Sequence, residues 1–264
     1  MELVQQPTLA DSICDLRCRK IKRTFFVQIN TLIDWKPFVS IIKLHYTKGK
    51  IATGKPSYNG LLLFKITWYG LSDYEVEDRV NDSISFSYFC GLRIDSVAPD
   101  HSTLSRFRSI MTKAKAYEPL FKEINRQLEA HSILVKTGAI IDASVIDTPL
   151  KPKGKTKHEV TEDRKDIEEV RIEKSYPKSV DKDAVWLKKG GKFRFGYKKH
   201  HVTDQEGLVL GVLTTKASTN EIANLEDVLD TADLPEGIPL KADKGYQSKN
   251  NGKILEKRKL KITF

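Results

Sequence analysis

Two aspartates stand where their chemistry needs explaining. Asp142 interrupts the apolar, β-branched run Ala139-Ile140-Ile141-Asp142-Ala143-Ser144-Val145-Ile146, which reads as a buried strand. Asp243 ends the short strand Leu240-Lys241-Ala242-Asp243 ahead of a Lys244-Gly245 turn. An unpaired carboxylate inside a buried strand costs several kcal/mol, so Asp142 needs a cation, strong donors or a metal. Two such acids at the ends of neighbouring strands can converge on a hard cation. Carboxylate oxygens suit Mg²⁺, which keeps waters and accepts phosphate oxygens as further ligands. A pair of such ions can activate water or a 3′-hydroxyl and stabilise the leaving oxygen of a phosphodiester. The plainer reading, a strand-end Asp capping a turn through its own backbone, stays open at this point.

The elements that must position these acids follow from periodicity. Residues 1–29 are polar, carry the basic cluster from Arg17 to Arg23, and read as a loose arm. Over 30–131 the spacing is helical. Leu104, Phe107, Met111 and Ala114 form one stripe, with Ser102 placed to cap it, and Leu120, Ile124 and Leu128 form another. Arg106 and Arg108 project from the polar side of the first of these helices, where they could meet a phosphate backbone or simply be solvated. From Gly138 the pattern changes to strands. Residues 150–192 are charged and read as an insertion. A strand over 193–202 turns at 204–207 into a second over 208–213. A helix follows, with Ser218 and Glu221 as a capping box, then the strand ending at Asp243, a basic helix over 248–259 and a last strand over 260–264. That order predicts an α/β fold: a mixed sheet over 132–264, compatible with an RNase H-like core, behind a mostly helical amino-terminal domain.

The chain has 264 residues, enough for one large core or two modest ones. The formal charge of +10 is unevenly spread. Residues 151–200 hold 16 basic and 9 acidic residues, 201–240 hold 1 and 8, and 241–264 hold 8 and 2. Two basic blocks flanking an acidic one suit a polyanion, because each neutralised phosphate releases condensed counterions; a solvated surface is the plainer alternative. Three cysteines, Cys14, Cys18 and Cys90, make neither a disulfide framework nor a complete zinc set. The absence of an apolar h-region or a membrane-length apolar run leads to the expectation of a soluble cytoplasmic protein. Trp35 and Trp68 fall in helical stripes and read as core, and Trp186 as a packing anchor.

Four blocks taken in order resemble the DDE transposases of bacterial insertion sequences. They are Pro99-Asp100-His101-Ser102-Thr103-Leu104-Ser105-Arg106-Phe107-Arg108, the run from Ala139 to Asp147, Phe195-Gly196-Tyr197-Lys198-Lys199-His200, and Ala242-Asp243-Lys244-Gly245-Tyr246. The chain is similar over residues 30–264 to the InsH-like branch, the fifth insertion-sequence family. The resemblance implies an RNase H-like core in which Asp142 and Asp243 are the first two acids of a triad binding Mg²⁺ or Mn²⁺. It implies cleavage of double-stranded DNA at terminal inverted repeats and strand transfer into target DNA by a homodimer associated with the nucleoid. Lys198, Lys199 and His200 are then expected to contact DNA near the acids, though adjacent strand residues face opposite ways and not all can serve. Tyr246 is expected either to contact DNA or, as the plainer reading, to be a core tyrosine. Arg106 and Arg108 are expected to contact DNA from the helical domain. His201 is expected to be structural or solvated, and Asp147, an odd number of residues from Asp142, to face away.

The sequence departs from that family in its third acid, a glutamate expected on a helix beyond residue 259. The sole acid after Asp243 is Glu256, among Lys253, Lys257, Arg258 and Lys259, where an ordinary helix ion pair explains it. The expectation is therefore a truncated chain with weak or no activity alone. The competing reading is a non-catalytic protein that binds element ends and regulates or inhibits transposition.

Overall fold

The computed structural model describes residues 20–47, 57–93, 96–152, 157–160, 172–175 and 180–263. The chain divides into two compact units, Met1–Ile133 and Leu134–Phe264.

The first unit is helical: α1 (Lys20–Leu32), α2 (Lys36–His45), α3 (Gly60–Ile66), α4 (Asp73–Asp82), α5 (Ile84–Cys90), α6 (His101–Lys113) and α7 (Tyr117–Ala130). Its core is aromatic. Phe26, Phe38, Phe64, Phe86, Phe89 and Phe107 are buried, and Trp35 and Trp68 pack against them as the helical stripes predict. Residues 20–29 of the stretch read as a loose arm are helical: α1 starts at Lys20, because Phe26 has a core to enter, stacking on Phe89 at 4.9 Å between centroids. Cys14, Cys18 and Arg17 lie outside the described residues.

Helix starts follow local polar chemistry. Ser72 and Glu75 close a capping box on α4. Asp100, not Ser102, caps α6, its carboxylate accepting from the Thr103 amide at 2.6 Å and from the Ser102 hydroxyl at 2.8 Å. Those two donors hold the Asp100 carboxyl down at about 2.

One buried cation interrupts this core. Lys65 is 8% exposed, with Nζ 4.2 Å from the Trp35 ring centroid and 4.9 Å from that of Phe89. It donates to Asn30 Oδ1 at 2.9 Å and to the Phe89 carbonyl at 3.2 Å. Burial pulls its pKa down to about 8. In the unfolded chain the ammonium holds its proton to about 10.5, so folding at neutral pH works against the charge. Stability should therefore rise between pH 8 and 10.5. Lys65→Met is expected to stabilise this unit by about 1–2 kcal/mol near pH 7, with the gain shrinking at alkaline pH. Urea denaturation at both pH values checks this; a destabilised Met variant would show the ammonium to be favourable where it sits.

The second unit is built on one mixed sheet. Its strands are β1 (Ala139–Asp147), β4 (Val185–Lys189), β5 (Lys192–Thr203), β6 (Val209–Lys216), β7 (Pro239–Ala242) and β8 (Lys261–Thr263), while β2 (Lys157–Val160) and β3 (Ile172–Ser175) pair separately. β1 is central, antiparallel to β5 and parallel to β7, and β8 continues parallel beyond β7. The far edge of β5 takes two partners in succession, β4 against its first half and β6 against its second. This is the expected α/β, RNase H-like mixed sheet. The stretch read as an insertion over 150–192 contributes β4 to it, because Trp186 rests on Phe195 across the strand pair at 5.1 Å.

One sheet face is closed. Ala139, Ile141 and Val145 of β1, Val202 of β5 and Leu240 and Ala242 of β7 are buried, with Leu225, Val228 and Leu229 of α8 (Leu225–Asp230) and Leu255 of α9 (Lys249–Lys257) also in the interior. The capping box expected at Ser218 and Glu221 does not form. A 3₁₀ turn over Ile222–Asn224 precedes α8, and the Glu221 side chain is used elsewhere.

Candidate active site

The register of β1 against β7 decides where the acids go. Ala139 pairs with Leu240, Ile140 with Lys241 and Ile141 with Ala242, so the next step along both strands sets Asp142 beside Asp243. Neighbouring strands lie about 4.8 Å apart and registered residues share a face, so the two carboxylates emerge side by side. Asp142 is exposed, not buried as its apolar neighbours suggest. Strand alternation explains the difference: Ile141 points into the core while Asp142 and Ser144 point to solvent.

The antiparallel partner fills in the same face. Asp142 pairs with His201 and Ser144 with Lys199. His201 was expected to be structural or solvated, yet it lies across from Asp142; the parity of β5 carries that information once its partner is known. Burial, then the Lys199 ammonium, lowers the His201 pKa, and the Asp142 carboxylate opposes the shift. Asp147 faces the other side and forms an ion pair with Arg194 at 3.0 Å, as its odd spacing predicts.

Two residues expected to contact DNA, Lys198 and His200, are instead interior, and Tyr246 takes the core position that was its plainer reading. His200 and Tyr246 have no exposed surface and Lys198 is 7% exposed, because even-numbered residues of β5 face the core. They form a polar layer. Tyr246 Oη lies 2.7 Å from His200 Nδ1, and His200 Nε2 lies 3.2 Å from Thr215 Oγ1. Lys198 Nζ meets Glu221 Oε1 at 3.1 Å and donates to the Thr219 carbonyl at 2.9 Å. Burial, reinforced by Lys198, lowers the His200 pKa, so the ring is neutral at physiological pH. Burial raises the Tyr246 pKa, and Glu221, Asp142 and Asp243 add to the effect.

This layer pins the turn that carries Asp243. The Tyr246 amide donates to the Asp243 carbonyl at 2.9 Å, and Asn251 Nδ2 donates to the Tyr246 carbonyl at 2.8 Å. A Cβ at Gly245 would lie 2.7 Å from Glu221 Oε2, so a side chain there would have to displace that carboxylate. Glu221 is the supporting residue that sequence reading missed, since its capping-box spacing concealed its contact with Lys198.

In the helical unit, Arg108 is also taken up: Nε lies 3.0 Å from Asp73 Oδ1 and a terminal nitrogen donates to the Leu71 carbonyl at 3.1 Å. Arg106 bonds the Ser102 carbonyl and hydroxyl but stays exposed.

Among the described residues no three His, Cys, Asp or Glu side chains come together as a metal-binding group. The fit to a divalent ion therefore rests on Asp142 and Asp243. Two exposed hard-oxygen donors on adjacent strands suit an ion that keeps much of its water.

A helical unit followed by an RNase H-like sheet with paired acids is one that can carry phosphodiester chemistry. Residues 15–109 match a transposase-domain family (DUF772), and residues 134–263 match the transposase DDE domain. The chain belongs to the DDE transposases. Among solved structures it is similar to the piggyBac transposase in a synaptic complex with hairpin DNA, at 11% identity and a TM-score of 0.40, over 93% of this chain and 51% of that one. It is also similar to the Mos1 strand transfer complex, at 13% identity and a TM-score of 0.27, over 81% of this chain and 60% of that one. This chain thus spans about half the length of the piggyBac chain. No helix among the described residues is long and apolar enough to cross a membrane.

Tyr246→Phe should leave His200 Nδ1 without its partner in the interior and destabilise this unit by about 1–3 kcal/mol. Chemical denaturation measures the loss; unchanged stability would mean that water reaches His200.

Proposed function

We propose that this chain acts in DNA transposition, with Asp142 and Asp243 jointly holding Mg²⁺ or Mn²⁺ against a scissile phosphate. The observation that supports this reading is the β1–β7 register, whose last pair, Ile141 with Ala242, immediately precedes Asp142 and Asp243, both exposed. A bound divalent ion would supply charge neutralisation at the phosphate and a more acidic bound water or hydroxyl. Lys199 and His201, on the same face, are placed to orient the DNA strand by its phosphates. The buried Lys198–Glu221 and His200–Tyr246 pairs hold the Asp243 turn still. Arg106 serves as a phosphate contact of the helical unit.

The substrate in this reading is double-stranded DNA, cut at terminal inverted repeats and joined through its 3′-hydroxyl to a target within the bacterial cytoplasm. An element has two ends and each chain has one Asp142–Asp243 pair, so the working form is a homodimer. With two carboxylates together among the described residues, the ion is held loosely and cleavage by this chain alone is expected to be slow.

Two measurements test the reading. Mn²⁺ binding followed by electron paramagnetic resonance should weaken at least tenfold in Asp142→Asn and in Asp243→Asn. Mg²⁺-dependent nicking of terminal-repeat DNA should disappear in the same variants. Mn²⁺ affinity unchanged in the double variant would overturn the assignment, and DNA binding without any metal site would favour the regulatory alternative.

A further inference from the structure

The β4–β5 hairpin has a composition that the sheet does not need. Its turn is Gly190-Gly191, both at positive φ (59° and 77°), the tight two-residue connection that suits twisted strands. A Cβ at either glycine would meet nothing within 4 Å among the described residues. Around it, Lys188 pairs with Phe193 and Lys189 with Lys192. Phe193 is 69% exposed and Trp186 48% exposed, although both are large aromatic rings. Single exposed apolar residues are ordinary, but two rings among three lysines at one tip are a recognisable combination. The Lys188 ammonium lies 5.5 Å from the Phe193 centroid. The nearby acids sit further in: Asp147 is engaged by Arg194, and Asp181 accepts from the Tyr197 hydroxyl at 2.8 Å.

The direction of these side chains matters most. Phe193, Phe195, Tyr197, Lys199 and His201 alternate on one face of β5, and Trp186 and Lys188 share that face through their pairing. It is also the face of Asp142. Eight residues of strand separate Phe193 from His201, about 26 Å at about 3.3 Å per residue. A DNA strand covers that distance in about eight nucleotides at duplex spacing, and in fewer where it is unpaired and extended.

We propose that the β4–β5 hairpin is a second DNA grip, in which Lys188, Lys189 and Lys192 meet phosphates and Trp186 and Phe193 stack on unpaired bases at most about eight nucleotides from the Asp142–Asp243 pair. The proposal rests on the DNA reading above but not on its metal chemistry. Stacking needs exposed π faces and tolerates any base, and the lysines supply the sequence-independent attraction. Phe193 and Lys188 lie on the face that continues along β5 to Lys199, His201 and Asp142, so the occupant is the same DNA that the acids are read to act on, and the exposed rings suit its unpaired bases.

Fluorescence anisotropy with the full chain tests it, using a blunt duplex and the same duplex carrying a single-stranded tail. Trp186→Ala with Phe193→Ala should weaken tailed-duplex binding about tenfold or more and affect the blunt duplex far less. Replacing Lys188, Lys189 and Lys192 by Ala should weaken both and lower the slope of log affinity against log salt by up to about three. Quenching of tryptophan emission by the tail should fall in Trp186→Phe, a change that keeps an aromatic ring in place. Circular dichroism confirms folding of each variant. Wild-type affinity and salt slope in the hairpin variants would overturn the proposal, whatever happens at the acids. Conversely, Asp142→Asn with Asp243→Asn should leave tail binding intact; if it does and Mn²⁺ binding also persists, the metal reading fails and the hairpin grip stands.

Discussion

The register between β1 and β7 is the constraint on which the site depends. Three residue pairs establish it, and two of them, Ala139 with Leu240 and Ile141 with Ala242, are buried. A slip of one residue in β1 would send Asp142 into the core and bring Ile140 to its place in the interior. That exchange is costly, because a carboxylate without a partner in the core loses its hydration and gains nothing in return. Hydrophobic burial on one face therefore fixes a polar arrangement on the other. Asp142 and Asp243 sit side by side without any direct attraction between them; two like charges held together by the core are a natural place for a cation.

The polar layer beneath completes this arrangement. A four-residue strand such as β7 gives little leverage over the residue that follows it. The Asp243 turn is instead held from within by Tyr246, whose hydroxyl meets His200 and whose carbonyl meets Asn251. The Glu221–Lys198 pair lies against Gly245 from the other side. Lys198 and His200, expected at the DNA surface, join the core residue Tyr246 in a different task, that of fixing the backbone which presents an exposed acid. Buried groups of this kind must all be satisfied, so the cluster tolerates little change.

What the sequence disclosed and what it withheld can be traced to particular residues. The strand around Asp142 and the hairpin turn at Asp204 were legible because their signals are local: an apolar β-branched run and a turn residue. The pairing of Asp142 with Asp243 was legible only as a possibility, since it needs a register between strands about a hundred residues apart. Facing direction was the weakest point. Lys198, Lys199, His200 and His201 form one polar run in sequence, and nothing local tells which pair enters the core. The pairing with β1 decides it, placing Lys199 and His201 outside. Likewise Glu221 has helix-start spacing, yet tertiary pairing with Lys198 overrides that local preference.

Charge shows the same interplay of sequence and fold. The basic block over 241–264 looked as available to a polyanion as the one over 151–200. In the folded unit part of it is spent within the protein: Arg258 pairs with Asp230, and Lys259 with Glu236 at 2.8 Å. From further up the chain, Lys136 lies 3.6 Å from Asp233. Exposed pairs like these contribute little stability, about 0–1 kcal/mol each. Their consequence is electrostatic, because Glu221, Asp230, Asp233 and Glu236, four of the eight acids over 201–240, are paired and repel a polyanion less. Of the cations left facing solvent in the sheet, Lys188, Lys199 and Lys241 of β7 share the face of Asp142, while Lys189 and Lys192 stand on the other side of the hairpin tip. A net +10 spread evenly would draw DNA without direction, whereas this distribution draws it along the one sheet face that ends at Asp142 and Asp243.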